Sequence, residues 1–300
     1  MNSIIRGLEN IGCEFIQRFP MRRFTSLRVG GIADLIVYPK TCSELINLIN
    51  MLSSFKVKWV VLGAGSNTIV YDEGFRGVII VTRKLKSIEI LRDCSVIAEA
   101  GAVLGTILNK TIRVGLTGFE FAAGIPGTVG GGIFMNAGAN GGEIKDVVDK
   151  VWILEEGKEH VLDRDEIRFE YRNSNLPDGS IVMRARFKLR PGDTNEIERN
   201  VRDYLYKRSI TQPIKISNTG SIFKNPPEIP AGKLLDELGF KGLKEGGASF
   251  SDIHANFIVN SGHANTSDVL RLIEIAQEHA CSRRGVQLET EVKIIGDKLG

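Results

Sequence analysis

Phe121-Ala122-Ala123-Gly124-Ile125-Pro126-Gly127-Thr128-Val129-Gly130-Gly131-Gly132-Ile133-Phe134-Met135-Asn136-Ala137-Gly138-Ala139-Asn140-Gly141-Gly142 carries no charged residue. Eight of these residues are glycine, one is proline and two are asparagine. A membrane span tolerates the missing charge but not this density of helix breakers. A core strand does not carry so many glycines. Such a stretch suits backbone lying directly against a large ligand, where absent Cβ atoms permit close approach and N–H groups turn toward phosphate oxygens. A second glycine-rich piece, Leu62-Gly63-Ala64-Gly65-Ser66-Asn67, follows the apolar run 57–62. The pair of loops points to a nucleotide-type cofactor.

Strand and helix patterns alternate on both sides of these loops. Ile4, Leu8, Ile11 and Phe15 share one face of a helix expected over 3–15. A short strand is expected at 35–38, and Thr41-Cys42-Ser43-Glu44 forms a capping box before a helix carrying Leu45, Ile46, Leu48, Ile49 and Leu52. Strands are expected at 57–62, 78–82, 87–91 and 95–99, then a helix over 103–114. Beyond the long glycine-rich stretch come strands at 147–154, 160–162 and 181–189. A helix from 196 to about 208 follows, capped by Asp193 or Thr194. Helices over 231–238 and 267–284 and a strand over 287–295 close the chain. The fold class is α+β with several mixed sheets, and the domain boundary is expected within 193–212.

Composition narrows the function classes. Three hundred residues allow two or three lobes, and 42% hydrophobic with 25% charged residues is what a soluble globular protein shows. The net charge is +3 with no basic cluster among aromatics, which argues against nucleic acid as a partner. Cys13, Cys42, Cys94 and Cys281 form no C-x-x-C pair, and the four histidines form no ligand array, so neither a disulfide framework nor a metal is expected. No signal-peptide core or membrane span is visible, so a cytoplasmic protein without membrane partners, and a monomer, is expected.

Gly63-x-Gly65-x-x-Thr68 imitates the dinucleotide fingerprint G-x-G-x-x-G, but its third position is threonine and no helix pattern follows. Tyr71-Asp72-Glu73-Gly74 reads as a turn instead. Two glycine loops separated by strands favour a non-Rossmann dinucleotide fold.

Longer motifs carry a resemblance. Thr25-Ser26-Leu27-Arg28-Val29-Gly30-Gly31, Gly63-Ala64-Gly65-Ser66-Asn67, Gly124-Ile125-Pro126-Gly127-Thr128-Val129-Gly130-Gly131 and Met135-Asn136-Ala137-Gly138-Ala139 resemble the UDP-N-acetylenolpyruvoylglucosamine reductases. So do Tyr171-Arg172-Asn173-Ser174, Gly220-Ser221-Ile222-Phe223-Lys224-Asn225-Pro226 and His254-Ala255-Asn256-Phe257-Ile258-Val259-Asn260. The G-A-G-S-N piece is shared with other FAD folds of the vanillyl-alcohol-oxidase (PCMH) type, whereas the last two motifs are more specific. With no long insertion between Asn225 and Ser267, the chain is similar to the shorter second type, which lacks a substrate-capping loop. The resemblance implies noncovalent FAD across 1–200, in two lobes split near 85, and a substrate-binding domain in 201–300. It implies NADPH as co-substrate and reduction of an enolpyruvyl ether on a UDP-sugar, in peptidoglycan precursor synthesis.

It also assigns residues. Gly63, Ala64, Gly65, Ser66 and Asn67, with Ala123, Gly124, Ile125, Pro126, Gly127, Thr128, Gly131, Asn136 and Gly138, would hold FAD. Hydride addition to an enol ether carboxylate builds negative charge that spreads into the carboxylate, so the reaction asks for fixed donors and one acid. Arg172 matches the carboxylate clamp; read alone, it is a surface arginine near Arg168. Ser221 matches the proton donor, with Lys224 available to polarise it; read alone, it is a turn hydroxyl after Gly220. Glu291 matches the third catalytic residue, and in neutral form would donate a hydrogen bond to the aci-carboxylate. On a strand it shares a face with Glu289, by default a solvated one. Lys224, Asn225, His254 and Asn256, together with Arg172, are the expected substrate contacts, with ordinary loop and buried-backbone roles as the plain alternatives. Lys233 is expected to be solvated. An FAD-dependent oxidase of an alcohol or hydroxy acid, or a nonenzymatic nucleotide-binding protein, are the competing readings. The first predicts loss of the last two motifs and the second loss of Arg172, Ser221 or Glu291.

Overall fold

Ile4 and Leu8 bury one face of helix α1 (Asn2–Ile11) in the computed structural model, which describes residues 2–298. The helix stops short of the expected residue 15. Gly12 takes φ +81°, and the N–H groups of Gly12 and Cys13 reach back to the Leu8 carbonyl at 3.0 and 3.1 Å. A left-handed glycine ends the helix, so Phe15 falls in the strand Glu14–Pro20. Helix α2 (Cys42–Ser54) starts where Thr41 Oγ1 accepts from the Glu44 N–H at 3.1 Å. The other half of the expected box lands one residue earlier, because the Glu44 carboxylate takes the Lys40 N–H at 2.8 Å.

The chain divides into two compact units. One comprises Met1–Gln17, Leu35–Ala64 and Gly77–Tyr206, and the other Arg18–Asp34, Gly65–Arg76 and Lys207–Gly300. A single cut near 200 therefore separates segments that pack together: two stretches of the N-terminal half belong with the C-terminal one.

In the first unit, the parallel pair Trp59–Leu62 and Phe75–Val81 and their neighbours form a four-stranded sheet. An antiparallel five-stranded sheet runs in the order Lys158–Asp163, Val148–Glu155, Ile181–Lys188, Ser95–Glu99, Ile88–Ile90. Helix α3 (Leu104–Arg113) buries Leu104, Ile107, Leu108 and Thr111 at helical spacing, and its apolar residues share one core with Val96, Ala98 and Val151 of the second sheet. The glycine-rich stretch contains an element that its composition hides: α4 (Val129–Phe134). Its Val129 and Gly130 N–H groups bond the Ala102 and Ala100 carbonyls at 2.9 and 2.8 Å. A Cβ on Gly130 would stand 3.2 Å from that of Ala100, so glycine here serves close packing. Helix α5 (Thr194–Thr211) is capped by Asp193, whose Oδ1 accepts from the Glu196 N–H at 2.9 Å, which decides between the two expected caps.

In the second unit, an antiparallel sheet runs Ser217–Ser221, Phe257–Asn260, Ala248–Phe250, Lys244–Glu245. Helices α6 (Ala231–Glu237) and α7 (Thr266–Arg284) accompany it. The Asp72 carboxylate takes the Thr266 and Ser267 N–H groups, both at 2.9 Å, and so closes the start of α7. The strand expected over 287–295 shrinks to Lys293–Ile295, parallel to Thr68–Val70. Ahead of it, Thr290 makes only an isolated bridge with Phe223. No helix among the described residues is long and apolar enough to cross a membrane.

Candidate active site

A Cβ on Gly63 would stand 2.2 Å from Thr128 Oγ1, so only glycine fits beside that hydroxyl. Thr128 is 1% exposed, and its Oγ1 has no hydrogen-bond partner among the described residues. An unpaired buried hydroxyl costs about 1–3 kcal/mol, which a polar ligand recovers. The loop is held from behind: Arg83 donates to the Ala64 carbonyl at 3.2 Å, and Thr82 Oγ1 to that of Leu62 at 3.4 Å. Beside Thr128, Ala123 is buried, Ile125 and Gly127 are half-buried, and Gly124, Pro126 and Gly131 are exposed. Val103, which bridges to Thr128, and Phe134 are 48% and 46% exposed. A buried hydroxyl inside a glycine and apolar surface fits the pyrophosphate and flat ring of FAD.

Asn136 is fully buried at φ +42°. Its Nδ2 donates to the Glu143 carboxylate at 2.9 Å and the Glu170 carbonyl at 3.0 Å, and its Oδ1 accepts from the Lys145 N–H at 3.1 Å. Its amide is therefore spent on organising the loops. Among the loops it organises is the hairpin Phe169–Glu170/Asn173–Ser174, whose tip is Tyr171-Arg172. Arg172 sits at φ +56°, a conformation costing a non-glycine residue about 1–3 kcal/mol and typical of functional positions. Its Nη2 donates to the Gly138 carbonyl at 3.1 Å, and its guanidinium lies 5.0 Å from the Tyr171 ring centroid. Arg172, Tyr171, Gly138, Asn140, Glu143 and Lys145 line a cleft of about 430 Å³. Tyr171, Glu143 and Lys145 were not anticipated, although the two charges directly follow the uncharged stretch.

The second unit gathers the other expected residues. A Cβ on Gly65 would meet the Phe24 ring at 2.7 Å, and Gly65 itself sits at φ +69°. The Ser66 carbonyl accepts from Thr219 Oγ1 at 3.1 Å, and Asn67 Nδ2 donates to the Glu291 carbonyl at 3.1 Å. The pairing between Ser217–Ser221 and Phe257–Asn260 slips between Asn218 and Ser221, where Gly220 takes φ +78°. That irregularity re-aims Ser221, whose half-buried hydroxyl makes no hydrogen bond to the described residues. The next residues run beside the glutamates: the Glu291 N–H donates to the Ile222 carbonyl at 2.8 Å, and the Lys224 N–H to that of Glu289 at 2.9 Å. Ser221 and Glu291 are thus brought together.

Lys224, the candidate available to polarise Ser221, pairs its Nζ with the Glu289 carboxylate at 2.6 Å. Asn256 is buried and grips both backbone groups of Phe223, accepting its N–H at 2.9 Å and donating to its carbonyl at 2.8 Å. Asn225 Oδ1 accepts the first N–H of α6, from Ala231, at 3.0 Å. His254 Nδ1 accepts the Asn256 N–H at 3.2 Å, its ring packs edge-on to Phe257, and burial pulls its pKa below the usual histidine value. Lys233 is exposed, 4.0 Å from Glu237.

Residues 33–162 match the family model described as FAD binding domain. Residues 212–295 match that of the UDP-N-acetylenolpyruvoylglucosamine reductase C-terminal domain. The chain is 42% identical over 291 residues to the UDP-N-acetylenolpyruvoylglucosamine reductase of Carboxydothermus hydrogenoformans, covering 96% of each sequence. The chain belongs to the UDP-N-acetylenolpyruvoylglucosamine reductase family. It is also 44% identical over 281 residues to the reductase of that name from Caldanaerobacter subterraneus, covering 93% of each. The crystal structure of UDP-N-acetylenolpyruvylglucosamine reductase from Thermus caldophilus superposes with a TM-score of 0.82 at 36% identity, covering 94% of this chain and 98% of that one. The non-Rossmann α+β FAD fold expected from the motifs is the fold of this family.

Proposed function

We propose that this chain is an NADPH-dependent flavoenzyme that reduces the enolpyruvyl ether of UDP-N-acetylglucosamine-enolpyruvate to UDP-N-acetylmuramate. The observation that carries the reading is the buried, unpartnered Thr128 hydroxyl held against Gly63, within a stretch that matches an FAD binding domain. The stretches 63–67 and 123–128 would hold FAD noncovalently, and the bound flavin, reduced by NADPH, would supply hydride chemistry toward the methylene carbon of the enol ether. Charge then builds on the carbon between ether oxygen and carboxylate and spreads into the carboxylate, where fixed donors lower the barrier most. Arg172 clamps that carboxylate; its bond to the Gly138 carbonyl sets the plane of the guanidinium. Glu291, anchored through its backbone to Ile222 and Asn67, stabilises the same oxygens. The Ser221 hydroxyl, turned by the irregularity at Gly220, delivers the proton to carbon. Lys224 exchanges Glu289 for anionic oxygens of the substrate. Asn225, Asn256 and His254 shape the loop that presents these groups, and the sugar nucleotide is held mainly by 201–300.

The test separates the two half-reactions. Anaerobic NADPH should bleach the yellow protein, and the enolpyruvyl sugar nucleotide should restore the colour. Ser221→Ala should bleach normally and recolour slower by about 10²–10⁴-fold. A wild-type protein that NADPH leaves yellow, or that this substrate leaves bleached, would overturn the reading.

A further inference from the structure

Asn136 is fully buried, so it offers no surface to a ligand, although the resemblance counts it among the flavin contacts. Its amide has two N–H donors, and both are used inside the protein. One donates to the Glu143 carboxylate at 2.9 Å and the other to the Glu170 carbonyl at 3.0 Å. The amide oxygen accepts the Lys145 N–H at 3.1 Å. These bonds end on the two segments that hold Arg172. Glu170 stands two residues before Arg172 in the hairpin Phe169–Glu170/Asn173–Ser174. Glu143 pairs with Gly138 across the short ladder Gly138–Ala139/Gly142–Glu143, and the Gly138 carbonyl accepts from Arg172 Nη2 at 3.1 Å. A Cβ on Gly138 would stand 2.6 Å from Glu143 Cγ and 2.7 Å from the Gly142 carbonyl oxygen, so glycine lets this ladder close. The Glu143 carboxylate is also held by Lys145 Nζ at 2.7 Å, and the Lys145 carbonyl accepts from Arg164 Nε at 3.0 Å. One buried amide thus joins the strand leading into Arg172 to the ladder whose carbonyl the guanidinium grips.

We propose that Asn136, acting with Glu143, is a positioning residue for Arg172, so that Asn136-Ala137-Gly138 serves the carboxylate clamp and not the flavin. The inference rests on the function proposed above. A guanidinium meets a carboxylate through two parallel N–H bonds in one plane, so a small shift of the hairpin tip harms this contact more than it would harm a point charge. The harm falls on one half-reaction. Charge develops in the substrate carboxylate only as hydride arrives, and fixed donors act on that step. Loss of Asn136 should therefore spare FAD binding and flavin reduction and slow re-oxidation.

Asn136→Gly tests this, because it deletes the amide yet suits the φ of +42°. FAD affinity, by flavin fluorescence, and bleaching by anaerobic NADPH should stay within about twofold of wild type. Recolouring by the enolpyruvyl sugar nucleotide should slow by about 10²-fold, the scale of a small misplacement of a reacting group. The deciding arm is the Arg172→Ala background. There Asn136→Gly should slow recolouring by no more than about twofold further, because residues that act through one group are not additive. Glu143→Ala should show the same pattern at about tenfold, which keeps the test decisive if Asn136→Gly does not fold. Weakened FAD with unchanged recolouring would return Asn136 to the flavin. Equal slowing with and without Arg172 would show that neither residue works through the guanidinium. Either result overturns the inference. A wild-type protein that NADPH bleaches but this substrate leaves bleached would instead remove the proposed function itself.

Discussion

Two glutamates two positions apart differ in burial and in anchoring. Glu291 is half-buried with its backbone tied to Ile222 and Asn67, whereas Glu289 is 71% exposed at its side chain and pairs with Lys224. If Glu291 donates a hydrogen bond as a neutral acid, Glu291→Gln keeps more turnover than Glu291→Asp or Glu291→Ala. Glu291→Ala should lose about 10²–10³ in kcat, the usual cost of one donor aimed at a developing oxyanion. Flavin reduction by NADPH should survive in all three, as stopped-flow absorbance would show. Glu289→Gln breaks an exposed ion pair worth at most about 1 kcal/mol, so its turnover should stay within about fivefold of wild type. An active Glu291→Ala beside a crippled Glu289→Gln would exchange the two assignments. His254 supplies a test by pH. Its folded-state pKa lies below the usual value of about 6.5 because burial disfavours the cation, so the unfolded chain binds more protons. The neutral form's stability is fully present above that value and is lost as pH falls toward the depressed one. Thermal melts at pH 7.5 and 5.5 should show a smaller drop in His254→Gln than in wild type, and equal drops would deny the burial a role.

The glycine loops can be tested as elements because their glycines are glycine for different reasons. A Cβ on Gly127 would meet only Leu104 Cδ1, at 3.7 Å, so the fold has room for a side chain there. Gly65 has neither room nor a suitable φ, with Phe24 2.7 Å from its virtual Cβ. Gly127→Val should therefore keep the wild-type melt of the apoprotein while losing FAD affinity by at least about tenfold, measured by flavin fluorescence. Gly65→Val should destabilise the apoprotein itself, by about 1–3 kcal/mol in a denaturant melt. Full flavin occupancy in Gly127→Val would move the ligand off that loop. These differences also show what was readable beforehand. Helices α2, α3 and α7 announce themselves because apolar residues recur at helical spacing. Helix α4 does not, because Gly130 is chosen for contact with Ala100 and not for helix propensity. The strand over 287–295 is overread, since Leu288, Val292 and Ile294 alternate while the chain pairs fully only from Lys293. Site residues were legible where they sit in contiguous motifs. Their partners were not, because Lys224–Glu289 and Phe223–Asn256 join residues 65 and 33 positions apart.

For the whole molecule, the ligand should count among the forces that hold the fold. A protein that binds FAD only when folded gains about 2.7 kcal/mol at a hundredfold excess over Kd. Removing FAD should therefore lower Tm, and adding it back should restore Tm in a concentration-dependent way, read by circular dichroism away from flavin absorption. A Tm indifferent to saturating FAD would mean that the surface around Thr128 holds something else. The discontinuous second unit has a further consequence, for birth on the ribosome. Thr68–Val70 finds its neighbour Lys293–Ile295 only after more than two hundred further residues have been made, and Asp72 meets the start of α7 nearly as late. Such long-range closure slows folding and prolongs the exposure of apolar chain. Ile69 and Val70, fully buried at the end, spend synthesis uncovered. The nascent protein thus stays exposed to chaperones and proteases until Lys293–Ile295 emerges.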